Sequence, residues 1–131
     1  MSINYYSILV VDRDPIVRIV QRWFFGSLGH AVDAVPDVEQ ALLWLATHPC
    51  HLVLAEAGRP EAGGPSLAYG ARACCPSVKV VLRTNGSPEV GLPSDLVVEE
   101  TLHLVRLRDM LDDLMRQAGA EARGQGGLES A

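Results

Sequence analysis

Short apolar runs alternate along the chain with segments in which apolar residues recur at helical spacing. Five runs predict β-strands, at residues 7–11, 30–35, 52–55, 78–82 and 96–98. Most of these runs lack an alternation of apolar and polar positions, which is typical of parallel strands covered on both faces. Together with the helical segments they predict an α/β fold, a doubly wound five-stranded parallel sheet with helices on both faces.

Two helix starts carry clear capping signals. Asp14 is an N-cap residue followed by Pro15 at the first helical position, and Gly29 is placed to end that helix. Asp37 with Gln40 three residues later resembles a capping box at the start of a second helix. Within the first helix the apolar residues at helical spacing are Ile16, Ile19, Val20, Trp23, Phe24 and Leu28.

The remaining helical patterns differ in strength. A weak helix is expected over residues 66–75, where Gly70 lowers the propensity, and a closing helix over 100–117. Residues 118–131 consist mainly of Gly, Ala, Glu and Gln, and we expect them to be disordered. The sequence therefore predicts one domain, 1–117, with a tail, 118–131.

The composition excludes several classes of function. The 131 residues suit a single domain, and a formal net charge of -5 argues against nucleic acid or a membrane surface as a direct partner. No apolar run approaches the ~18 residues of a membrane span, and the first residues lack the pattern of a signal peptide. Three cysteines, two of them adjacent, provide no disulfide framework, so we expect a cytoplasmic location.

Candidate chemistry is expected beyond the carboxyl ends of the parallel strands, where sheets of this class bind ligands. The charged and hydroxyl residues that follow the predicted strands there are Asp12, Arg13, Asp14, Glu56, Thr84 and Glu99. We interpret these residues as one site at the edge of the sheet.

Residues 8–117 resemble the receiver domain of two-component response regulators. Three stretches carry the resemblance: 8–15 (ILVVDRDP), similar to the opening strand with its acidic pair; 28–32 (LGHAV), the link into the second strand; and 51–60 (HLVLAEAGRP), the phosphoacceptor strand and its loop. The order and spacing of the three are more specific than any one of them. The resemblance implies a flavodoxin-like fold and descent from a switch phosphorylated on aspartate.

The resemblance fails at the chemistry of the phosphorylation site. Glu56 stands at the phosphoacceptor aspartate, Arg13 at the second metal-binding carboxylate and Glu99 at the conserved lysine of the family pattern, while Asp12 is retained. Phosphoryl transfer in this family depends on Mg²⁺ and the lysine for charge neutralisation, and a guanidinium cannot coordinate the ion. We therefore expect that Mg²⁺ binding and aspartyl phosphorylation are lost, that no cofactor is used, and that the chain is not an enzyme.

Three carboxylates at one rim need a counter-charge, and we expect Arg13 to form a permanent ion pair with Glu56, with Asp12 as a further candidate acceptor. Two alternatives remain open. Glu56 could mimic phosphoaspartate and lock an active state. The chain could also be a working receiver in which Glu56 accepts the phosphoryl group while Asp12 and Asp14 hold the metal.

Three more positions at this edge bear on the resemblance. Thr84 retains the hydroxyl that senses the phosphoryl group in the family, and Leu96 replaces the aromatic switch residue. Arg83 stands where the family has an apolar side chain. We expect Arg83 to extend into solvent beside a missing helix, with neutralisation of the carboxylates as the alternative.

The link between the fourth and fifth strands is short. Residues 85–95 contain two glycines and two prolines, so the fourth helix of the receiver pattern should be shortened or missing. This change would expose apolar residues as a candidate partner surface, formed by Leu92, Leu102 and Val105 together with Val90. Ordinary packing of the loop on these residues is the alternative.

The cluster of His48, Cys50 and His51 matches no closed zinc site, and we interpret it as structural. The expected role is a degenerate receiver that acts as a phosphorylation-independent interaction module in signal transduction. The resemblance implies a protein partner, namely a histidine kinase, another regulator or an output protein, and a homodimer is a further possibility.

Overall fold

The computed structural model describes residues 5–56, 64–84, 96–99 and 104–129. Strands and helices alternate within these ranges in the order β1 (Ser7–Val11), α1 (Pro15–Ser27), β2 (Ala31–Val35), α2 (Val38–Leu45), β3 (Leu52–Glu56), α3 (Gly64–Cys74), β4 (Lys79–Thr84), β5 (Leu96–Glu99) and α4 (Leu104–Glu129).

The strands form one parallel sheet in the order β2-β1-β3-β4-β5. This order is the flavodoxin-like variant of the doubly wound fold, in which the chain reverses its direction of winding beside β1. The parallel α/β architecture expected from the alternating pattern is confirmed. No helix in the described ranges is long and apolar enough to cross a membrane.

The hydrophobic core consists of two clusters, one on each face of the sheet. Successive residues of β1 point to opposite faces, so that Ile8 and Val10 pack with Phe25 of α1 and with α4, whereas Leu9 and Val11 pack with α2 and α3. Because both faces of the central strands are covered, their sequences need no polar alternation. This packing explains the continuous apolar runs.

The capping signals that start the first two helices are confirmed. The Asp14 carboxylate accepts the backbone N–H of Ile16 at 2.9 Å, and the Asp37 carboxylate accepts that of Gln40 at 2.8 Å. Gly29, which follows α1, has a φ of 101°, and a Cβ built there would lie 2.5 Å from the Tyr5 ring. A side chain at this position would be strained by the backbone and blocked by the ring.

The apolar residues of α1 are divided between two faces of the helix. Phe25 is buried against the sheet, whereas the side chains at four of the predicted apolar positions are exposed, namely Ile16, Ile19, Val20 and Trp23. The spacing of the apolar residues therefore predicts the helix correctly, but it includes residues on the exposed face as well as residues on the face that packs against the sheet. Gln21 occupies a buried position on the inner face instead.

The part of the chain after β4 differs in one respect from the sequence-based expectation. The last helix continues to Glu129, although the composition of 118–131 predicts disorder. Alanines at positions 118, 120 and 122 favour helix and offset the glycines in that segment. The expected loss of the fourth helix, over 85–95, and the residues Val90, Leu92 and Leu102 of the predicted patch lie outside the described residues; Val105 is exposed.

His30 joins the end of α1 to the first strand through its imidazole ring. The backbone N–H of Tyr6 donates to His30 Nδ1 at 3.0 Å, and the Tyr6 ring stacks on the imidazole with centroids 4.9 Å apart. An Nδ1 that accepts a hydrogen bond belongs to the neutral ring. Burial lowers the pKa of His30, and the opposing effect of Asp112 is smaller.

We predict that His30 makes the stability of the fold pH-dependent. Because its pKa is lower in the folded state, the stability it contributes is present above its unfolded pKa, near 6.5, and is lost as the pH falls through the folded value. The free energy of unfolding, measured in urea between about pH 7.5 and pH 5.5, should fall less steeply for His30→Gln than for the wild type. Equal slopes for His30→Gln and the wild type would contradict the prediction.

Candidate functional site

The carboxyl-terminal edge of the sheet brings together most of the residues singled out in the sequence. Asp12 follows β1, Glu56 ends β3, and Thr84 ends β4. Across the sheet Glu56 is in register with Arg83, and Thr84 with Glu99 of β5. The prediction that these positions meet at one edge is thus realised in the backbone of the described strands.

Asp12 is held at this edge by the turn that leads into α1. Its side chain is 3% exposed, and Oδ1 accepts the backbone N–H of Asp14 at 2.8 Å. Its own N–H donates to the carbonyl oxygen of Val35 in β2 at 3.1 Å. This arrangement fixes the carboxylate beneath the rim of the sheet rather than in solvent.

Arg83 is the counter-charge of Asp12. The Arg83 guanidinium donates from Nη2 to Asp12 Oδ2, and both side chains are almost completely buried. The expectation that Arg83 extends into solvent is therefore wrong. Val81, two residues before Arg83, belongs to the core cluster beneath α1 and α4. Because side chains alternate along β4, Arg83 points to the same face of the sheet as Val81.

A buried ion pair of this kind holds the fold together only while both charges remain. Taking two ions out of water is costly, and their attraction offsets this cost only when geometry and additional hydrogen bonds are good. Asp12 has such a bond from Asp14, whereas Arg83 Nε has no hydrogen-bond partner among the described residues. Removal of either member leaves a buried charge with no counter-charge.

Arg18 is a second arginine at the site that the sequence pattern does not single out. From the first turn of α1, its Nη1 donates to the carbonyl oxygens of Asp12 at 2.8 Å and of Arg13 at 3.0 Å. These bonds tie α1 to the loop that carries Asp12. The signal in the sequence is an arginine one helical turn after an N-cap, which is able to reach back to the preceding carbonyls.

The other predicted site residues are more accessible. Arg13 and Asp14 are exposed and Glu56 is half-buried. The Asp14 carboxylate serves as the N-cap of α1, which is a structural role. The ion pair between Arg13 and Glu56 stays a prediction, whereas the charge that compensates Asp12 comes from β4.

The two histidines and the one cysteine of the cluster before β3 have structural partners. His51 Nδ1 accepts the N–H of Ser7 at 2.9 Å, and the His48 ring stacks on Trp44 with centroids 4.5 Å apart. The Cys50 thiol donates to the carbonyl of Leu52 at 3.2 Å, and burial raises its pKa to about 11. Within the described part of the chain no group of three His, Cys, Asp or Glu residues is placed to hold a metal ion.

The fold is that of response regulator receiver domains. No family model and no curated protein sequence matches the chain. Among solved structures, the CheY-like receiver domain protein from Methanospirillum hungatei JF-1 has a TM-score of 0.81 and 16% identity, covering 89% of this chain and 98% of that one.

The response regulator TrrA from Thermotoga maritima matches in two settings. Its complex with Mg²⁺ and BeF has a TM-score of 0.73 and 23% identity, covering 83% of this chain and 98% of TrrA. Its complex with the histidine kinase ThkA gives 0.71 and 23%, covering 83% and 97%. The likeness places this chain in the CheY-like α/β fold.

We predict that the ion pair of Arg83 and Asp12 is strongly coupled energetically. Arg83→Met and Asp12→Asn should each destabilise the protein by about 3–5 kcal/mol, because each leaves the other group buried without its partner. The double variant should lose much less than the sum of the two. Urea denaturation of the four proteins measures the coupling energy.

The exposed pair of Arg116 and Asp113 on α4 is the matched control, with side chains 69% and 63% exposed. The same cycle on that pair should give a coupling energy below about 1 kcal/mol. Equal coupling energies for the buried and the exposed pair would contradict the role assigned to Arg83.

Proposed function

We propose that this chain is a receiver domain that has lost Mg²⁺-dependent aspartyl phosphorylation and acts as a phosphorylation-independent interaction module in signal transduction. The observation that carries the proposal is the buried ion pair between Arg83 and Asp12. Asp12 is the retained member of the acidic pair with which receiver domains hold the metal. In this chain its charge is already neutralised by an internal cation.

The residues at the site do not fit a divalent cation. Mg²⁺ requires several oxygen ligands in near-octahedral geometry, supplied in part by carboxylates. Asp12 Oδ2 accepts the Arg83 guanidinium and Oδ1 accepts the Asp14 N–H, while the neighbouring Arg13 offers no acceptor at all. A cation at Asp12 would compete with the Arg83 guanidinium for the same carboxylate, and displacement of Arg83 would leave a buried guanidinium without its counter-ion.

The residues at the positions of the phosphoacceptor and of the lysine also disfavour phosphorylation. Glu56 is one methylene longer than the aspartate of the family pattern, and in-line phosphoryl transfer tolerates little displacement of the attacking oxygen. Glu99 on the neighbouring β5 replaces a lysine, so the sequence offers an anion where the family offers a cation. Both changes disfavour transfer of a dianionic phosphoryl group to this edge.

A protein partner follows from the role proposed. TrrA, which shares the fold, forms a complex with the histidine kinase ThkA. We propose a partner of the same kind for this chain, namely a histidine kinase, another regulator or an output protein, bound without a phosphorylation step. The chain acts through binding and not as an enzyme; its cytoplasmic location stays a prediction.

A working receiver with unusual ligands is the second candidate. The observation in its favour is that Asp14 and the half-buried Glu56 are accessible at the edge of the sheet that carries Asp12. In that case Glu56 would accept the phosphoryl group and Asp14 would replace the missing metal ligand. The role of Asp14 as N-cap of α1 speaks against this alternative, because binding a metal would compete with the cap.

Titration with Mg²⁺ and beryllofluoride distinguishes the two candidates. We expect the amide resonances of the wild-type chain to show no saturable shift at residues near Asp12, Glu56 and Thr84, because the metal site is filled by Arg83. TrrA, which binds Mg²⁺ and BeF, is the positive control for the reagents. A saturable, Mg²⁺-dependent shift in the wild type would favour the working receiver and overturn the proposal.

A variant that restores residues of the family pattern tests whether Arg13, Glu56 and Arg83 are the reason that Mg²⁺ binding is lost. Arg13→Asp, Glu56→Asp and Arg83→Val combined remove the internal cation and restore the carboxylates of the family pattern. This triple variant should gain a Mg²⁺-dependent shift that the wild type lacks. The same triple variant with Asp12→Asn should lose that shift again.

A further inference from the structure

Two cysteines lie together at the amino-terminal edge of the sheet, before two neighbouring strands. Cys50 comes two residues before β3, and Cys75 lies between the end of α3 and the start of β4. Cys50 belongs to the hydrophobic cluster that α2 and α3 cover, and Cys75 packs against the same cluster. The two side chains are therefore on one face of the sheet.

The Cys75 thiol is in direct contact with Cys50. Its sulfur donates a hydrogen bond to the Cys50 carbonyl oxygen at 3.3 Å. Because a carbonyl oxygen lies about 2.4 Å from the Cα of its own residue, the Cys75 sulfur is within about 6 Å of the Cys50 Cα. Burial is the main cause of the raised pKa of the Cys50 thiol, and the charge of a Cys75 thiolate would raise it further.

The backbone on both sides of this contact is held by hydrogen bonds. The Cys75 N–H donates to the carbonyl oxygen of Ala71 in α3 at 2.8 Å. The Lys79 N–H donates to the carbonyl oxygen of His51, the residue after Cys50, at 2.9 Å. A disulfide requires two side chains that can be directed at each other across a short gap. With the backbone fixed in this way, rotation of the two side chains is the movement that brings the sulfurs together.

We propose that Cys50 and Cys75 form a redox-sensitive pair of thiols, which hydrogen peroxide converts into an intramolecular disulfide. Cys75 reacts first, because it is half-buried whereas Cys50 is 5% exposed. The Cys75 sulfur attacks one peroxide oxygen and the O–O bond breaks. Sulfenic acid forms at Cys75, and the other oxygen leaves as water with the thiol proton.

Cys50 completes the reaction from inside the core. Its sulfur attacks the sulfenic sulfur of Cys75, the S–S bond forms, and the hydroxyl group leaves as a second water with the proton of the Cys50 thiol. In total the two thiols lose two electrons and two protons, and the peroxide is reduced to two molecules of water. The hydrogen bond from Cys75 to the Cys50 carbonyl is given up when the disulfide forms.

The third cysteine is not a member of the pair. Cys74 is the last residue of α3 and is exposed. Successive residues of a helix point about 100° apart, so Cys74 is directed away from the cluster that Cys75 contacts. It provides an internal comparison, because it is more accessible to peroxide but has no contact with Cys50 of the kind that Cys75 makes.

The proposed disulfide differs from the structural disulfides of secreted domains. In a reducing compartment the pair stays as two thiols and closes only on exposure to an oxidant. The bond would tie the start of β3 to the end of α3. The proposal is independent of the loss of phosphorylation, since the pair lies at the edge of the sheet opposite to Asp12.

Peptide mapping of the full chain after treatment with hydrogen peroxide tests the proposal. Trypsin separates Cys50 from the other two cysteines, because it cuts after Arg72 and Lys79. In the wild type we expect the two peptides to be cross-linked, with a mass lower than that of the separate peptides by two hydrogen atoms. Dithiothreitol should separate them again, and the oxidised chain should run as a monomer on a non-reducing gel.

Three variants assign the bond to its residues. Cys74→Ser is the matched control, which keeps both members of the pair and should give the wild-type amount of cross-link. Cys50→Ala and Cys75→Ser should both lose it. Cys75→Ser changes the less buried member, so it decides the question even where Cys50→Ala does not fold.

The thermal midpoint of unfolding shows whether the bond fits the native fold. Closing the segment from residue 50 to residue 75 restricts the unfolded chain, so oxidation should raise the midpoint of Cys74→Ser by on the order of 10 °C. The same treatment should leave the midpoint of Cys75→Ser without this rise.

Three results would overturn the proposal. A cross-link of equal yield in Cys75→Ser would assign the bond to Cys74. Oxidation of Cys75 to sulfinic acid with no cross-link to Cys50 would show that the two sulfurs do not meet. A thermal midpoint of oxidised Cys74→Ser at or below that of the reduced form would show that the fold must be distorted before the bond can close.

Discussion

The carboxyl-terminal edge of this protein depends on the pairing of Arg83 with Asp12. A guanidinium on β4 with its side chain turned toward the core cannot remain there without an anion, because the cost of burying a lone charge exceeds what the surrounding apolar contacts supply. Asp12 provides that anion, and the turn through Asp14 together with the hydrogen bonds of Arg18 keeps Asp12 in reach. The loop before α1, the start of α1 and the end of β4 are thereby joined through one interaction.

Most of the fold could be predicted because its signals are local. The apolar runs identify the strands, since residues covered on both faces need no polar alternation, and Asp14 and Asp37 mark helix starts through bonds to amides two and three residues away. The orientation of α1 could not be predicted in the same way. Apolar residues occur on both its inner and its outer face, so periodicity alone does not tell Phe25, which is buried, from Trp23, which is exposed.

At the site, too, features set by neighbouring residues could be predicted more readily than contacts between residues far apart in the sequence. Its position could be predicted, because the ends of parallel strands meet at one edge of the sheet. The sequence offers Arg83 as a counter-charge of the carboxylates only as the alternative, since chain proximity favours Arg13, the residue next to Asp12, whereas β4 lies two strands away from β1 in the sheet. Only the register of β3 and β4, together with the alternation along β4, brings Arg83 into a position from which it reaches Asp12.

The ion pair also restricts how this sequence can change during evolution. A protein in which only Arg83 or only Asp12 is substituted is expected to be much less stable. Replacement of one member is therefore disfavoured as long as the other is present. Under the proposed loss of Mg²⁺ binding, regain of a metal site would require changes at both Arg13 and Arg83, and the intermediate that lacks only Arg83 would have neither the internal cation nor a complete set of metal ligands. The pair therefore makes replacement of either residue alone costly, so we expect the two positions to change together in evolution.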